Sequence, residues 1–559
     1  MVFIDGRQIS SGSVLETEVC IIGGGPAGIV IARELLDTPT SIILVESGGW
    51  RPNKVTQRLN EGELAPESRH PPPEMYRERR FGGSSTIWGG RCVPLIRSDF
   101  EPRPHVPNSG WPIQYDDLAT YYSRALSYCE AGGELSCDLN RSNAIEPIMD
   151  GLENTAITVG FERFSPPTDF GRRFKSDLNA SNTLKVLLES TCISLLTGGS
   201  GRSVKTVECT TDNGSRFTIH PKYIVIAAGG LESVRLLAAS HDMFPAGLAN
   251  SSGLLGRYYM SHLEGTLGEL QVAPGRKVIW NFVRTADGVY AKHHIRLSDE
   301  FQRRHRLRNM IFRLHHANPM DPRHGNPVLS LMYVAKRFIL PEYRRKITTV
   351  ELDALDQLPH GSELFASHVA NIIKGPWPLV KFLSSWLYKR HARYRRVPYV
   401  ALHSKSGSYP LDYNAEQTPL RDSRILLAGD KDRFGVPKLR IDWRVCPEDI
   451  ASIAASYRSM RSIFLDTGVA AVAYDDDTLN EKVRSAIAVG GHHIGTARMS
   501  DDPREGVVDS QCRTHDVENL YIAGSAVFPT SGSANPTLTI VALAIRIADH
   551  LKTTLRSFT

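Results

Sequence analysis

At 559 residues the chain is longer than one hydrophobic core usually serves, so two domains are the starting expectation. With 41% hydrophobic and 23% charged residues, the composition is that of a globular enzyme and excludes a chain dominated by disorder. The 66 Lys and Arg nearly balance the 60 Asp and Glu, and a net charge of +6 spread along the chain argues against a nucleic-acid binder.

The N-terminus, MVFIDGRQISSGSVLETEVC, lacks a basic stretch followed by an apolar one, so no secretory signal is expected. No apolar run approaches the ~18–20 residues of a membrane span. The expectation is a soluble, cytoplasmic protein. Its eight cysteines form no CxxC pair, and Cys20 and Cys192 lie in apolar, strand-like runs where a reduced, buried thiol is the default.

The first predicted unit is residues 18–46. An apolar strand, Val19 to Ile22, runs into Gly23-x-Gly25-x-x-Gly28, then a helical stretch IVIARELL, a second apolar strand SIILV and Glu46. Strand, tight turn, helix, strand and acidic residue together make a dinucleotide site. Gly23 makes the turn, Gly25 lets a pyrophosphate approach the backbone, and Gly28 lets the helix pack on the strand. The helix N-terminus offers free N–H groups and a positive dipole end to the phosphates. Glu46 is placed to take a ribose hydroxyl, which favours FAD or NAD over NADP. Further along, FGGSSTIWGGRCVPL (81–95) is too glycine-rich for a regular element and suits a loop wrapped closely round a ligand. Residues 223–237, YIVIAAGGLESVRLL, read as a buried strand, a small-residue turn and a helix of the same sheet. Residues 263–330 mix short β-like runs (GTLGEL, KVIWNFV, MIFRLHH) with turns and suit an antiparallel sheet. Residues 330–400 are helix-like and carry a basic cluster, YKRHARYRR (388–396), read as a solvated face. The last segment, 519–551, repeats strand, Gly524-Ser525, loop and a helix starting near Pro536.

Taken together, these segments resemble the glucose–methanol–choline (GMC) family of FAD oxidoreductases. The resemblance is carried by CIIGGGPAGIVIARELL…VESGG, FGGSSTIWGG, SGWPIQYDDLATYYSRA, IVIAAGGLESVRLL, GLLGRYYMSH, HHIGTARM and VENLYIAGSAVFPTSGSANPT, in the family's order. SANPTLT and AEQTPLRDSRILLAGDKDRFGVPKLRIDW bring it nearest to pyranose oxidase-like and bacterial sugar or glycoside oxidases and dehydrogenases. The resemblance implies an α/β chain, α+β overall. A Rossmann-like FAD domain would be assembled from about 1–110, 185–262 and 490–559. A substrate domain on a mostly antiparallel sheet would comprise 111–184 and 263–489. It also implies an FAD site that includes Gly23, Gly25, Gly28, Glu46, Gly83, Ser84, Ser85, Cys192, Ala228, Gly524, Ser525, Asn535 and Thr537. The helix dipole near Pro536 would face the flavin. Fungal pyranose oxidases bind flavin covalently through the histidine of a Ser-Thr-His-Trp stretch. Here it reads Ser85-Thr86-Ile87-Trp88, so FAD is expected to be non-covalent.

The expected chemistry is oxidation of an alcohol, with a hydride passing to flavin N5 and the hydroxyl proton to a base. The family's base opens a His-x-x-Gly pattern, and His492-His493-Ile494-Gly495-Thr496 fits with His492 in that place. In locally extended chain His493 would point the other way. The expected partner is Asn535, whose amide can donate to the substrate oxygen but cannot act as base. His262 is read as a capping or packing residue. Gln417 and Arg421 are read as substrate-pocket residues. No set of residues has clear metal-ligand spacing, and HHANPMDPRH (315–324) has only weak zinc potential. The expected substrate is a small alcohol, a sugar or glycoside, with a polyol, steroid or natural-product alcohol as alternative. Oxygen or a quinone-like molecule is the expected electron acceptor. Oligomeric state is open.

Overall fold

The computed structural model describes residues 2–133, 148–199, 201–335, 361–391, 395–485 and 487–556. The first sheet is parallel at its centre. Its strands run in the order Phe3–Asp5, Leu184–Leu188, Ile42–Val45, Val14–Ile22, Arg216–Ile226, with Leu520–Ile522 also pairing with Arg216–Ile226. Val204–Thr210 and Thr191–Thr197 extend one edge as an antiparallel meander. The central strands are apolar on both faces because helices cover both. Val19, Cys20 and Ile21 are fully buried, as are Ile224, Val225 and Ile226. The helix Pro26–Leu35 packs on this sheet, and Thr537–Arg556 packs against that helix, each through an apolar face.

The register brings three chain turns to one place. Ile22 pairs with Ile226, and Ile226 with Ile522. The residues that follow, Gly23, Ala227-Ala228 and Ala523-Gly524, therefore lie together at the carboxyl ends of neighbouring parallel strands, where such sheets bind ligands.

The second sheet is antiparallel throughout, in the order Ala470–Ala473, Leu263–Val272, Ser408–Ala415, Met310–Leu314, Tyr290–Leu297, Ile157–Phe164, Arg91–Cys92. Of the expected β-like runs, GTLGEL and MIFRLHH supply strands. KVIWNFV supplies only the short Val283–Arg284. Between 330 and 400 the chain is helical over Pro327–Val334, Ser362–Lys374 and Pro376–His391. Residues 392–394 of the basic cluster lie outside the described residues. Among the described residues seven cysteines are free thiols, no helix is long and apolar enough to cross a membrane, and no His, Cys, Asp and Glu group could hold a metal ion.

Candidate active site

A cavity of about 870 Å³ lies between the two sheets. One end is walled by the glycine turn. Gly23 sits at φ +110°, and a Cβ on Gly28 would lie 2.0 Å from the Gly23 carbonyl oxygen, so helix and strand touch there as the sequence predicts. Gly23, Gly25 and Glu46 border the cavity, and so do Gly83, Ser84 and Ser85 from the second glycine-rich loop. Cys192 and Ala228 line it, as do Gly524, Ser525, Asn535 and Thr537. The Glu46 carboxylate accepts the Gly24 and Gly48 N–H groups, each at 2.8 Å, and keeps lone pairs for a further donor. Burial raises its pKa. The loop 71–79 is pinned beside the cavity by Glu232, which accepts Arg77 at 2.8 Å and also pairs with Arg79 and Arg235. These guanidinium groups outweigh the cost of burial and hold the Glu232 carboxyl well below the usual range.

The stretch His492–Thr496 is set by a two-residue bridge. Met260 and Ile494 exchange N–H···O bonds of 2.9 and 3.0 Å in antiparallel sense. Two residues on from Met260 and two residues back from Ile494, that register brings His262 opposite His492. Gly495, at φ +84°, allows the close approach of the Tyr258 carbonyl, which a Cβ would meet at 2.6 Å. Thr496 locks the turn by donating to the Gly230 carbonyl at 2.7 Å.

The hydrogen-bond network fixes the protons. His262 Nε2 is 3.3 Å from the Ser531 carbonyl, which can only accept, so Nε2 carries the hydrogen. Burial brings the His262 pKa down to about 4, so the ring is neutral and its Nδ1 is a bare acceptor. His492 Nδ1, 2.8 Å away, must therefore donate to it. Burial, reinforced by His262, Arg91 and Arg313, holds the His492 pKa well below 6.5, so its Nε2 is unprotonated and offers a lone pair. Asn535 Nδ2 donates to that lone pair at 3.0 Å. The predicted pair is thus in direct contact, with His492 already in the tautomer a base requires.

His493 turns the other way. His70 Nδ1 lies 2.6 Å from the Pro71 carbonyl and donates to it, which leaves Nε2 to accept the Tyr259 hydroxyl at 2.7 Å. The Tyr259 oxygen then accepts from His493 Nδ1 at 2.9 Å. Tyr259→Phe would strip a partner from both imidazoles. We expect it to cost roughly 1–3 kcal/mol of stability, seen as a lower melting temperature, with His492 still in place. An unchanged melting temperature would contradict this account of the network.

Two expectations are corrected. Gln417 is fully buried outside the cavity wall. Its amide is consumed by the Ser261 N–H (2.8 Å), the Trp443 indole N–H (2.8 Å) and the Arg444 carbonyl (2.6 Å). Arg421 is exposed and does not border the cavity. Neither reaches the site. His262, read as a packing residue, instead touches the proposed base. Tyr259, His70 and Glu264 were not singled out from sequence; the antiparallel pairing that carries Tyr259 and Glu264 to the site is not written in their local motif.

Residues 419–544 match the family model described as GMC oxidoreductase. The 2-methyl-1,2-propanediol dehydrogenase of Mycolicibacterium austroafricanum is 24% identical, over 96% of this chain and 95% of its own. The paromamine 6'-oxidase of Streptomyces fradiae is 22% identical, over 95% of this chain and 90% of its own. Among solved structures, pyridoxine 4-oxidase from Mesorbium loti superposes with a TM-score of 0.55 at 15% identity, covering 96% of this chain and 99% of that one. Over residues 419–544 the chain is thus similar to GMC oxidoreductases, and its fold is shared along nearly its whole length with a solved oxidase.

GMC oxidoreductases are FAD-binding flavoproteins, and the cavity described above suits such a cofactor. A Cβ on Gly25 or Gly524 would meet nothing within 4 Å, so at both places bare backbone faces open space. The Asn535 Oδ1 is buried in the same wall without a hydrogen-bond partner, an acceptor left for a ligand donor. At about 870 Å³ the cavity is near the top of the ~300–1,000 Å³ range of ligand pockets.

Proposed function

We propose that this enzyme oxidises a secondary hydroxyl of a sugar or glycoside to the ketone, bound FAD supplying the hydride acceptor at N5 and oxygen or a quinone-like molecule taking up the electrons. The observation that carries this reading is the unprotonated His492 Nε2, fixed by the Nδ1–H bond to His262 and met by Asn535 Nδ2 at 3.0 Å. A substrate hydroxyl entering between them would donate its proton to His492 Nε2 and accept from Asn535 Nδ2, which orients it. When Nε2 takes the proton, His492 keeps its Nδ1–H on the His262 lone pair, which supports the resulting charge. FAD would be held by the Gly23–Gly28 turn and helix N-terminus at its phosphates and by Glu46 at its ribose. The flavin end would lie against Gly83–Ser85, Ala228, Gly524-Ser525 and the start of the Thr537–Arg556 helix.

The FAD domain in this proposal gathers 1–110, 185–262 and 490–559, and the substrate domain 111–184 and 263–489. The strand positions support that division, with Arg91–Cys92 crossing to the antiparallel sheet. Ile87, in the cavity wall, has no atom that could bond a flavin methyl group covalently. Acid precipitation should therefore release all the FAD into the supernatant, and yellow colour retained in the pellet would refute non-covalent binding.

Anaerobic mixing with glucose, other aldoses, C- and O-glycosides and simple alcohols tests the substrate class, and readmission of oxygen tests the acceptor. Bleaching by pyranoses or glycosides is expected. Bleaching only by small diols would favour the non-sugar reading, which draws on the 24% identical propanediol dehydrogenase.

A further inference from the structure

The Glu264 carboxyl group borders the same cavity, close to the proposed pair. Glu264 is two residues beyond His262, so in extended chain both side chains fall on one face. Its strand pairs it with Ile487 on one side, just ahead of the His492 turn. On the other side it pairs with Asn414, whose side-chain amide donates to the Ser533 carbonyl at 2.8 Å, two residues from Asn535. The carboxylate is thus held within a few residues of both His492 and Asn535 by backbone on each flank.

The neighbouring charges are already matched without it. Arg313 pairs with Asp412 at 3.0 Å and with Glu162 at 2.8 Å, and Arg91 pairs with Glu162 at 3.1 Å. The Lys292 ammonium sits over the rings of Phe282 and Tyr399, 5.9 and 5.0 Å from their centroids. His262 and His492 are neutral. Among the described residues no donor or cation lies within bonding distance of the Glu264 carboxyl. Burial, with Asp412 nearby, pushes its pKa up to about 7, so the site gains when a cation joins it. Trp88 and Tyr399, on the same wall, add aromatic surface that tolerates an ammonium group.

We propose that Glu264 binds a protonated amine of the substrate, which makes the substrate class an amino-substituted sugar or amino polyol rather than a neutral one. The inference rests on the reading of His492 and Asn535 as the reaction centre. A buried carboxylate–ammonium contact is a charge-assisted hydrogen bond, worth about tenfold or more in binding.

The test is titration of the oxidised holoenzyme with glucosamine, N-acetylglucosamine and glucose, read as perturbation of the flavin absorbance under conditions without turnover. Glucosamine should bind at least about tenfold more tightly than either neutral sugar. Glu264→Gln should reduce that preference to within about twofold. Equal binding of glucosamine and N-acetylglucosamine by the unaltered enzyme would overturn the proposal without any variant, as would a preference that survives Glu264→Gln. Because the readout is binding, it is separable from the parent reading. Tight glucosamine binding with no alcohol able to bleach the flavin would sink the oxidation chemistry and leave the Glu264 assignment standing.

Discussion

His492→Ala should retain FAD and slow flavin reduction by about 10²- to 10⁴-fold, the range that loss of a positioned general base produces. The network around His492 explains why the effect should be kinetic. Its Nδ1–H is committed to His262 and its Nε2 to Asn535. Its main-chain N–H closes a turn to Val489 at 2.9 Å, which alanine would preserve. Asn535→Ala should also slow reduction strongly, because a hydroxyl no longer held at Nε2 transfers its proton poorly. His493→Ala should slow it less, since that ring is engaged with Tyr259. The reduction step also carries a pH signature. The active form of His492 is neutral, and its pKa lies well below 6.5. With a neutral alcohol, the rate should therefore stay level as pH falls through 6.5 and drop only on crossing the lowered pKa. A rate that falls off at pH 6.5 or higher would show that burial does not control this group.

The second large effect concerns the glycine turn, where two glycines three residues apart should fail in different ways. Gly28→Ala puts a Cβ 2.0 Å from the Gly23 carbonyl oxygen and 3.2 Å from Ile21, so helix Pro26–Leu35 must lift off its strand. Overpacking of this kind costs about 1–3 kcal/mol or more, and here the clash is with backbone, which cannot swing away. The variant should melt lower even without cofactor. Gly25 is different. Its φ is −82° with ψ −174°, which any residue adopts, and a Cβ would meet no protein atom within 4 Å. Gly25→Ala should fold with the apoprotein's normal melting temperature and lose FAD, because the methyl group occupies space that the phosphates need. Calorimetry of the two apoproteins, with FAD content measured beside it, separates the cases. Full FAD retention by Gly25→Ala would remove the phosphates from that turn.

What the sequence made legible was the part whose physical requirement is local. Gly23, Gly28 and Glu46 announce a strand–turn–helix because each answers a need within a few residues of itself. The parallel sheet follows from apolar runs such as Val19–Ile22 and Ile224–Ile226. His492 and Asn535 could be paired through the family motifs. The rest depends on register. His262 reaches His492 only because Met260 pairs with Ile494, and nothing in RYYMSH encodes that pairing. Gln417 misled for the converse reason. A polar side chain in a polar motif looks like a ligand, yet its hydrogen bonds are spent on Ser261, Trp443 and Arg444 inside the fold. Glu264 was overlooked because a single acid in an amphipathic strand reads as a solvated residue until the cavity beside it is seen.

The central claim, that His492 takes the hydroxyl proton while Asn535 holds the oxygen, is tested most directly by anaerobic single-turnover reduction. The FAD-loaded unaltered enzyme and its His492→Ala variant are mixed side by side with a bleaching sugar. The account predicts rapid bleaching of the first and bleaching slower by at least about 10²-fold in the second, at equal FAD content. Equal rates in the two proteins would contradict it.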